Sequence, residues 1–257
     1  MYGESIFTTM RMIEGEIQDW NEHFNRLRQG AEFIFGPFVE QENWHTLLKD
    51  RLEERCQHEA GSRILRVTLF REQERGLRAP LTQSVLDLKI AFVSTPYDPN
   101  SYVTQPLKLK TCPANPRPNW WPSYLKAGNY LETILAQKLF LQENDDDLLF
   151  LNSQDEVLES SVSNIFVIKN KRLYTSPLGP NVLDGVMRKK ILDVAHDFFD
   201  KVQESASTID QIFKADAVFG CNSVRGLFFI ESIDYHKLKH DQESIDKVEA
   251  LKKRVFK

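Results

Sequence analysis

The sequence predicts a mixed α and β fold in two lobes, and three observations predict it. Segments with strand-like composition and segments with helical periodicity follow one another along the chain, without strict βαβ regularity. Four prolines, Pro113, Pro116, Pro118 and Pro122, crowd into ten residues near the middle. The length of 257 residues suits roughly two domains at about 150 residues each, or one large one. Together these place a small N-terminal α/β lobe at 1–112, a proline-rich interdomain loop at 113–122 and a larger C-terminal lobe at 123–257.

In the first lobe, Ser5 to Met12 is rich in β-formers and reads as a strand. Glu14-Gly15 reads as the hairpin turn after it. From Asn21, Phe24, Leu27, Ala31 and Ile34 recur at steps of three and four, so an amphipathic helix is expected. A second helix is expected over 41–56, with Trp44, Leu47, Leu48 and Leu52 on its buried side. Strands follow at Arg63–Phe70, Leu86–Ser94 and Leu107–Thr111. Proline fixes φ and removes a donor, so the stretch around Asn115, Asn119, Trp120 and Trp121 is neither regular helix nor central strand.

In the second lobe, a helix is expected over Tyr130–Gln142 and a strand over Leu148–Leu151, with a turn at Gln154-Asp155. Asn164–Ile168 and Arg172–Thr175 read as a hairpin across Lys169-Asn170-Lys171. A helix follows Gly185 and runs to about Phe199. Strands and a short helix fill Val202 to Ile233. The end of the chain reads as a charged helix with Ile245, Val248 and Leu251 on one face.

Composition excludes several classes. Hydrophobic residues make up 41% and charged residues 27%, which suits neither a disordered nor a fibrous chain. No apolar run approaches the eighteen or so residues that a membrane helix needs, and no signal peptide is visible. The net charge is −4, which makes a poor general nucleic-acid binder. Three cysteines, Cys56, Cys112 and Cys221, stand far apart without a Cys-x-x-Cys pair, and the histidines show no His-x-x-x-His pair on a helix. A reducing cytoplasm and the absence of a metal site are therefore expected.

Four stretches could carry chemistry. Lys126-Ala127-Gly128-Asn129-Tyr130 precedes a helix; a lysine becomes a nucleophile when desolvated, but a lone lysine is most often a solvated surface charge. Glu159-Ser160-Ser161-Val162-Ser163-Asn164 puts a carboxylate at a strand end before small polar residues, which also suits a plain turn. Leu183-Asp184-Gly185-Val186-Met187-Arg188 opens a helix, whose free backbone N–H groups suit a phosphate. Gly220-Cys221-Asn222-Ser223 offers a hydroxyl and amides, or only a loop.

The order of these stretches is more informative than any one of them. Lysine, then glutamate, then Gly-x-x-Arg opening a helix, then a small polar strand end resembles the class IV aminotransferases. These are the fold-type IV pyridoxal-phosphate (PLP) enzymes. The resemblance covers nearly the whole chain. It begins at Tyr2-Gly3-Glu4-Ser5-Ile6-Phe7, similar to the family's Tyr-Gly-Asp-Gly-x-Phe. It continues through His23-Phe24-Asn25-Arg26-Leu27, similar to its His-x-x-Arg-Leu helix.

The resemblance implies a two-lobed, D-amino-acid-aminotransferase-like fold and PLP as cofactor. It implies Lys126 as the residue that holds the cofactor covalently and then moves the substrate's proton. It implies Glu159 as partner of the pyridinium nitrogen, and Arg26 as a phosphate ligand. The backbone N–H groups of Val186 and Met187 and the Ser223 hydroxyl would complete the phosphate site, and Tyr130 would reach the ring hydroxyl. On the substrate side it implies Tyr2, Thr9 and Arg11, the last as partner of a carboxylate. For Arg11 an exposed strand arginine is an equally good reading of the residues alone.

Three details resemble the lyase branch of the family: Phe7-Thr8-Thr9-Met10-Arg11, Gly185-Val186-Met187-Arg188 and Cys221-Asn222-Ser223. They imply cleavage of 4-amino-4-deoxychorismate to 4-aminobenzoate and pyruvate. Transamination of a D- or branched-chain amino acid is the alternative, and a non-catalytic scaffold on the same fold is the third. Relatives carry roughly twenty residues ahead of the Tyr2 position, including a small-domain strand, so either the start lies upstream of Met1 or the first lobe lacks that strand. Relatives are homodimers, and the resemblance implies the same here.

Overall fold

The structure is a computed structural model of the chain and describes residues 4–36, 43–57, 59, 61–71, 88–98, 105–112 and 121–256. The chain divides into two compact units. One comprises Met1–Pro99 with Tyr124–Tyr130, the other Asn100–Ser123 with Leu131–Lys257.

The first unit is built on β1 (Ser5–Ile13), β2 (Glu16–Ile17), α1 (Trp20–Phe35), α2 (Trp44–Cys56), β3 (Arg63–Arg71) and β4 (Leu88–Pro96). Its four strands form an antiparallel sheet in the order β2-β1-β3-β4. Glu14 and Gly15 take φ of 50° and 87°, the left-handed pair that a tight two-residue hairpin requires. Alternation on β1 buries Ile6, Thr8, Met10 and Met12 on one face, level with Leu65, Val67 and Leu69 of β3. Helix α1 packs there with Phe24, Leu27, Ala31 and Phe35. On α2, Leu48, Leu52 and Cys56 form the buried stripe at steps of four. Leu47 was expected on that stripe but is 42% exposed, because it lies about 100° around the helix from Leu48.

The second unit contains β5 (Leu107–Cys112), α3 (Leu131–Phe140), β6 (Asp147–Leu151), β7 (Val157–Ser160), β8 (Asn164–Lys169) and β9 (Arg172–Thr175). It continues with α4 (Val186–Ala195), β10 (Lys201–Glu204), α5 (Ile209–Phe213), β11 (Ala217–Asn222), β12 (Gly226–Ile233), β13 (His236–Lys237) and α6 (Gln242–Val255). Strand β5 was grouped with the first lobe on sequence. Here it pairs in parallel with β6 and β12, because its apolar positions Leu107 and Leu109 are completed by Leu149, Leu151 and Ile230. Residues 113–120 of the proline-rich loop lie outside the described residues.

Strands β8, β11, β12, β5, β6 and β7 pair in that order, and β7 also pairs with β8, so the six close on themselves. Closure rests on one register pair, Glu159 opposite Asn164. Alternate residues fill the interior: Leu107, Leu109, Leu149, Leu151, Val157, Ile165, Val167, Val218, Phe228 and Ile230. The intervening residues of β8 and β11, Phe166 and Phe219, stack at 5.1 Å on the outer face. They meet Met187, Ile191 and Ala195 of α4, and Val248, Leu251 and Val255 of α6. This two-sided burial explains why β8 reads Ile-Phe-Val-Ile without a polar break. Among the described residues no helix is long and apolar enough to cross a membrane.

Asp234, just after β12, fastens β5. Its carboxylate accepts hydrogen bonds from the Thr111 amide at 3.1 Å and the Thr111 hydroxyl at 2.5 Å, and pairs with Lys110 Nζ at 2.8 Å. Burial pushes its pKa up, but the Lys110 and Thr111 bonds outweigh that and hold the carboxyl below its ordinary value. Its contribution is therefore full above the ordinary carboxylate pKa and is lost as pH falls through the lowered one. Asp234→Ala is expected to lower Tm by about 2–4 °C at neutral pH. Thermal melts of variant and parent should converge on acidification.

Candidate active site

In the first unit, the chain from Lys126 to Gly128 lies along the edge of β1. The Phe7 amide donates to Lys126 O at 2.9 Å and the Gly128 amide to Ser5 O at 2.8 Å, with Ile6 bridged to Ala127. A Cβ at Gly128 would lie 2.1 Å from Ser5 Oγ, so any other residue there would have to turn that hydroxyl aside. The lysine is thereby fixed through its backbone against a rigid strand. Its half-buried amine stands 3.1 Å from Tyr130 Oη, 4.8 Å from the centre of the Phe7 ring and 5.5 Å from that of Tyr130. The two rings meet edge to face at 5.6 Å.

Phe7, Thr9 and Arg11 share the face of β1 opposite α1. Arg11 is only 8% exposed, which excludes the exposed strand arginine that was its alternative reading. Arg66 of β3, opposite Thr9, belongs to the same face. Its Nε donates to Thr9 Oγ1 at 3.3 Å and its guanidinium lies 4.6 Å from the Phe7 ring centre. Arg26 is on the other side of the strand. It is buried on α1 and donates from Nη2 to Thr8 Oγ1 at 3.2 Å, and that hydroxyl also meets His23 Nδ1 at 2.7 Å. Tyr2 lies outside the described residues.

In the second unit, Glu159 is 6% exposed at the end of β7. Its Oε2 accepts from the Leu183 amide at 2.7 Å and from Asn164 Nδ2 at 3.2 Å. Asn164 Nδ2 also donates to Leu183 O at 2.9 Å, so one side chain ties the carboxylate to the segment leading into α4. That segment ends at Gly185, whose absent Cβ would stand 2.2 Å from Asn164 Oδ1. Gly185 caps α4 without a side-chain hydrogen bond, and the first-turn amides of Val186 and Met187 precede the helix's own bonding pattern. Ser223 sits in the turn between β11 and β12. Asn222 shapes that turn: its Oδ1 accepts from Val224 and Arg225 amides at 3.0 and 2.7 Å, and its Nδ2 donates to Val162 O at 3.3 Å.

Each unit therefore gathers its own share of the expected residues. The first holds Lys126, Tyr130, Thr9 and Arg11 on one face of β1, and Arg26 on the other. The second gathers Glu159 with the start of α4, and places Ser223 at the neighbouring β11–β12 turn. Sequence reasoning gave no role to Arg66, to the Asn164 side chain or to the Leu183 amide, which the structure sets against Thr9 and Glu159. Arg66 had only the alternation of β3 as a signal. Leu183 acts through its backbone, which no side-chain pattern reveals.

The chemistry of these donors fits PLP. A lysine amine, a buried carboxylate oriented by two N–H groups, a buried guanidinium and an uncapped helix start are what its aldehyde, pyridine nitrogen and phosphate require. Fold and donors together define a PLP-dependent enzyme of fold type IV. A family model described as amino-transferase class IV matches residues 5–233, and the chain belongs to that family. It is 23% identical over 246 residues to an aminodeoxychorismate lyase of Vibrio harveyi, covering 93% of this chain and 87% of that protein. It is 26% identical over 227 residues to a D-alanine aminotransferase of Listeria monocytogenes, covering 85% and 74%. A solved structure from Legionella pneumophila, provisionally assigned as a 4-amino-4-deoxychorismate lyase, matches with a TM-score of 0.81 at 26% identity, covering 98% of this chain and 91% of that one.

Gly185→Ala should drive Asn164 away from Glu159 and Leu183. The expected outcome is PLP binding weakened by about tenfold, the scale of one lost hydrogen bond to a charged group. Fluorescence titration of the apoenzyme with PLP measures it.

Proposed function

We propose that this protein is a lyase that converts 4-amino-4-deoxychorismate to 4-aminobenzoate and pyruvate. The observation that carries the reading is the pair of arginines, Arg11 and Arg66, on the β1–β3 face that Lys126 Nζ adjoins. The substrate bears two carboxylates, one on the ring and one on the enolpyruvyl group, and two guanidinium groups match them. A branched-chain side chain would ask for an apolar wall instead. Identity alone does not separate the branches, since the D-alanine aminotransferase and the lyase are similarly distant.

PLP, when bound, supplies an electron sink for the carbanion formed beside the substrate nitrogen. The chain does the rest. Lys126 Nζ takes the proton from the ring carbon that bears the amine, and returns one to the departing enolpyruvyl group, which becomes pyruvate. Tyr130 Oη, hydrogen-bonded to that amine, holds it in line. Glu159 keeps the pyridine nitrogen protonated, and its two N–H donors keep the carboxylate aimed. Arg26 of the first unit, and the Val186 and Met187 amides and Ser223 hydroxyl of the second, would supply the donors for the phosphate. Thr9 and Arg11 orient the substrate. Loss of the enolpyruvyl group makes the ring aromatic, so the protein need only orient and move protons.

The test is product analysis with 4-amino-4-deoxychorismate as sole substrate, PLP present and no keto acid. Many turnovers to 4-aminobenzoate and pyruvate are expected, and Lys126→Ala should abolish them together with the absorption of bound PLP. No product from visibly PLP-loaded protein would overturn the reading in favour of a transaminase, to be assayed with D- and L-amino acids and 2-oxoglutarate.

We also propose that the enzyme is a cytoplasmic homodimer. Its three cysteines are free thiols, as a reducing compartment allows. On α3, Leu131, Ile134, Leu135 and Leu139 turn an apolar stripe outward, and Leu139 is 75% exposed. Such a stripe is what a second copy would cover. Leu135→Glu with Leu139→Glu should convert a dimer to monomers in sedimentation equilibrium. An unchanged mass would remove α3 from the interface.

A further inference from the structure

Asp147 opens β6 and is 3% exposed, yet no step above uses it. A buried carboxyl is costly unless its hydrogen bonds have a purpose. Its Oδ1 accepts from the hydroxyl of Ser161 and from the Leu148 amide at 2.8 Å. Ser161 in turn accepts from Gln137 Nε2 of α3 at 3.1 Å. Because Gln137 supplies a proton to the Ser161 oxygen, the Ser161 proton is directed at Asp147. The Ser161 amide adds a bond to Leu148 O at 3.1 Å, so this residue is clamped to β6 through both backbone and side chain.

Ser161 lies in the four-residue connection between Glu159 and Asn164, the pair that closes the six strands. Apart from that clamp and the Asn222 Nδ2 bond to Val162 O, the connection is held from within. Ser160 Oγ meets Ser163 Oγ at 2.6 Å and accepts from the Ser163 amide at 3.0 Å, while the Ser160 amide donates to Ser163 O at 2.8 Å. These internal bonds fix the shape of the turn, and its placement comes from outside, from Asn222 on one side and from Leu148 and Asp147 on the other. Asp147 is the side-chain anchor to β6, two residues after Glu159. Burial pushes the Asp147 carboxyl above its ordinary pKa, with the Ser161 and Ser160 hydroxyls and the Leu148 and Val162 amides opposing, so the position tolerates a neutral acceptor.

We propose that Asp147 is a positioning residue, which acts through Ser161 to set where Glu159 meets the pyridine nitrogen of PLP. The proposal rests on the reading of Glu159 as that partner, and not on which substrate the enzyme takes.

The experiment is equilibrium PLP binding, with the absorption maximum of the lysine-bound cofactor, in five variants of the full chain. Glu159→Gln is the control for the underlying reading. If it leaves both readouts at parent values, the role of Glu159 fails, and the proposal fails with it. With that control altered, Asp147→Ala and Ser161→Ala are each expected to weaken PLP binding about tenfold and to move the absorption maximum in the direction of Glu159→Gln. Their combination should be no worse than either alone, because one chain is cut twice. Asp147→Asn keeps the acceptor oxygen and should restore both readouts to within about twofold of the parent. A lowered Tm with unchanged PLP affinity and spectrum in Asp147→Ala would reduce the residue to a structural role and overturn the proposal. So would an Asp147→Asn variant as weak as Asp147→Ala. If Asp147→Ala does not fold, Ser161→Ala with Asp147→Asn decides alone.

Discussion

The second unit depends on a single register pair. Glu159 and Asn164 face each other where β7 meets β8, and without that contact the six strands would be an open, curled sheet with two edges. The same two residues are Glu159, proposed above as the cofactor's acidic partner, and the amide that clamps it. Asn164 reaches from the closing pair to Glu159 and to Leu183, so strand closure and the entry to α4 are settled by one amide group. Packing reinforces it. Ile165 and Val167 point into the closed strands while Phe166 and Ile168 point out to α4 and α6, so a slip of β8 by one residue would invert both cores.

The first unit solves a different problem. Strand β1 is paired by β2 only at Met12 and Ile13, which would leave most of one edge open. The chain returns at Lys126–Gly128 to occupy the start of that edge, and the lysine's backbone carbonyl becomes a ladder acceptor. The Lys126 side chain is thus carried by backbone that behaves as strand although it is too short to be one. Its ammonium is received by the Phe7 and Tyr130 rings, whose faces favour a cation.

Much of this was legible in the sequence. The hairpins at Glu14-Gly15 and Asn170-Lys171 are each signalled by one residue that accepts left-handed φ, Gly15 and Asn170, and α1 and α6 follow from periodic apolar positions. The family motifs singled out Lys126, Glu159 and the start of α4 as candidates. Other features were beyond reach. The alternation of Leu107–Cys112 announces a strand without saying whose, and its partners arrive some forty and more than a hundred residues later, as β6 and β12. Leu47 and Leu48 are equally apolar, and only the packed helix tells which is buried. Arg66 is one arginine among many until β1 puts Thr9 opposite it. The hydrogen bond from the Leu183 amide to Glu159 leaves no trace in side-chain chemistry at all.

The discontinuity of the first unit has a consequence for synthesis. Residues 1–99 emerge from the ribosome well before 124–130, so for that interval β1 has hydrophobic residues on its faces and unpaired amides and carbonyls along one edge. An exposed edge of this kind is a template for another nascent chain. Any fragment cut at the apparent domain boundary inherits the same exposure permanently. A soluble version of the first unit would need the Lys126–Gly128 segment stitched back to it, so that short segment shields the edge of its own half of the protein.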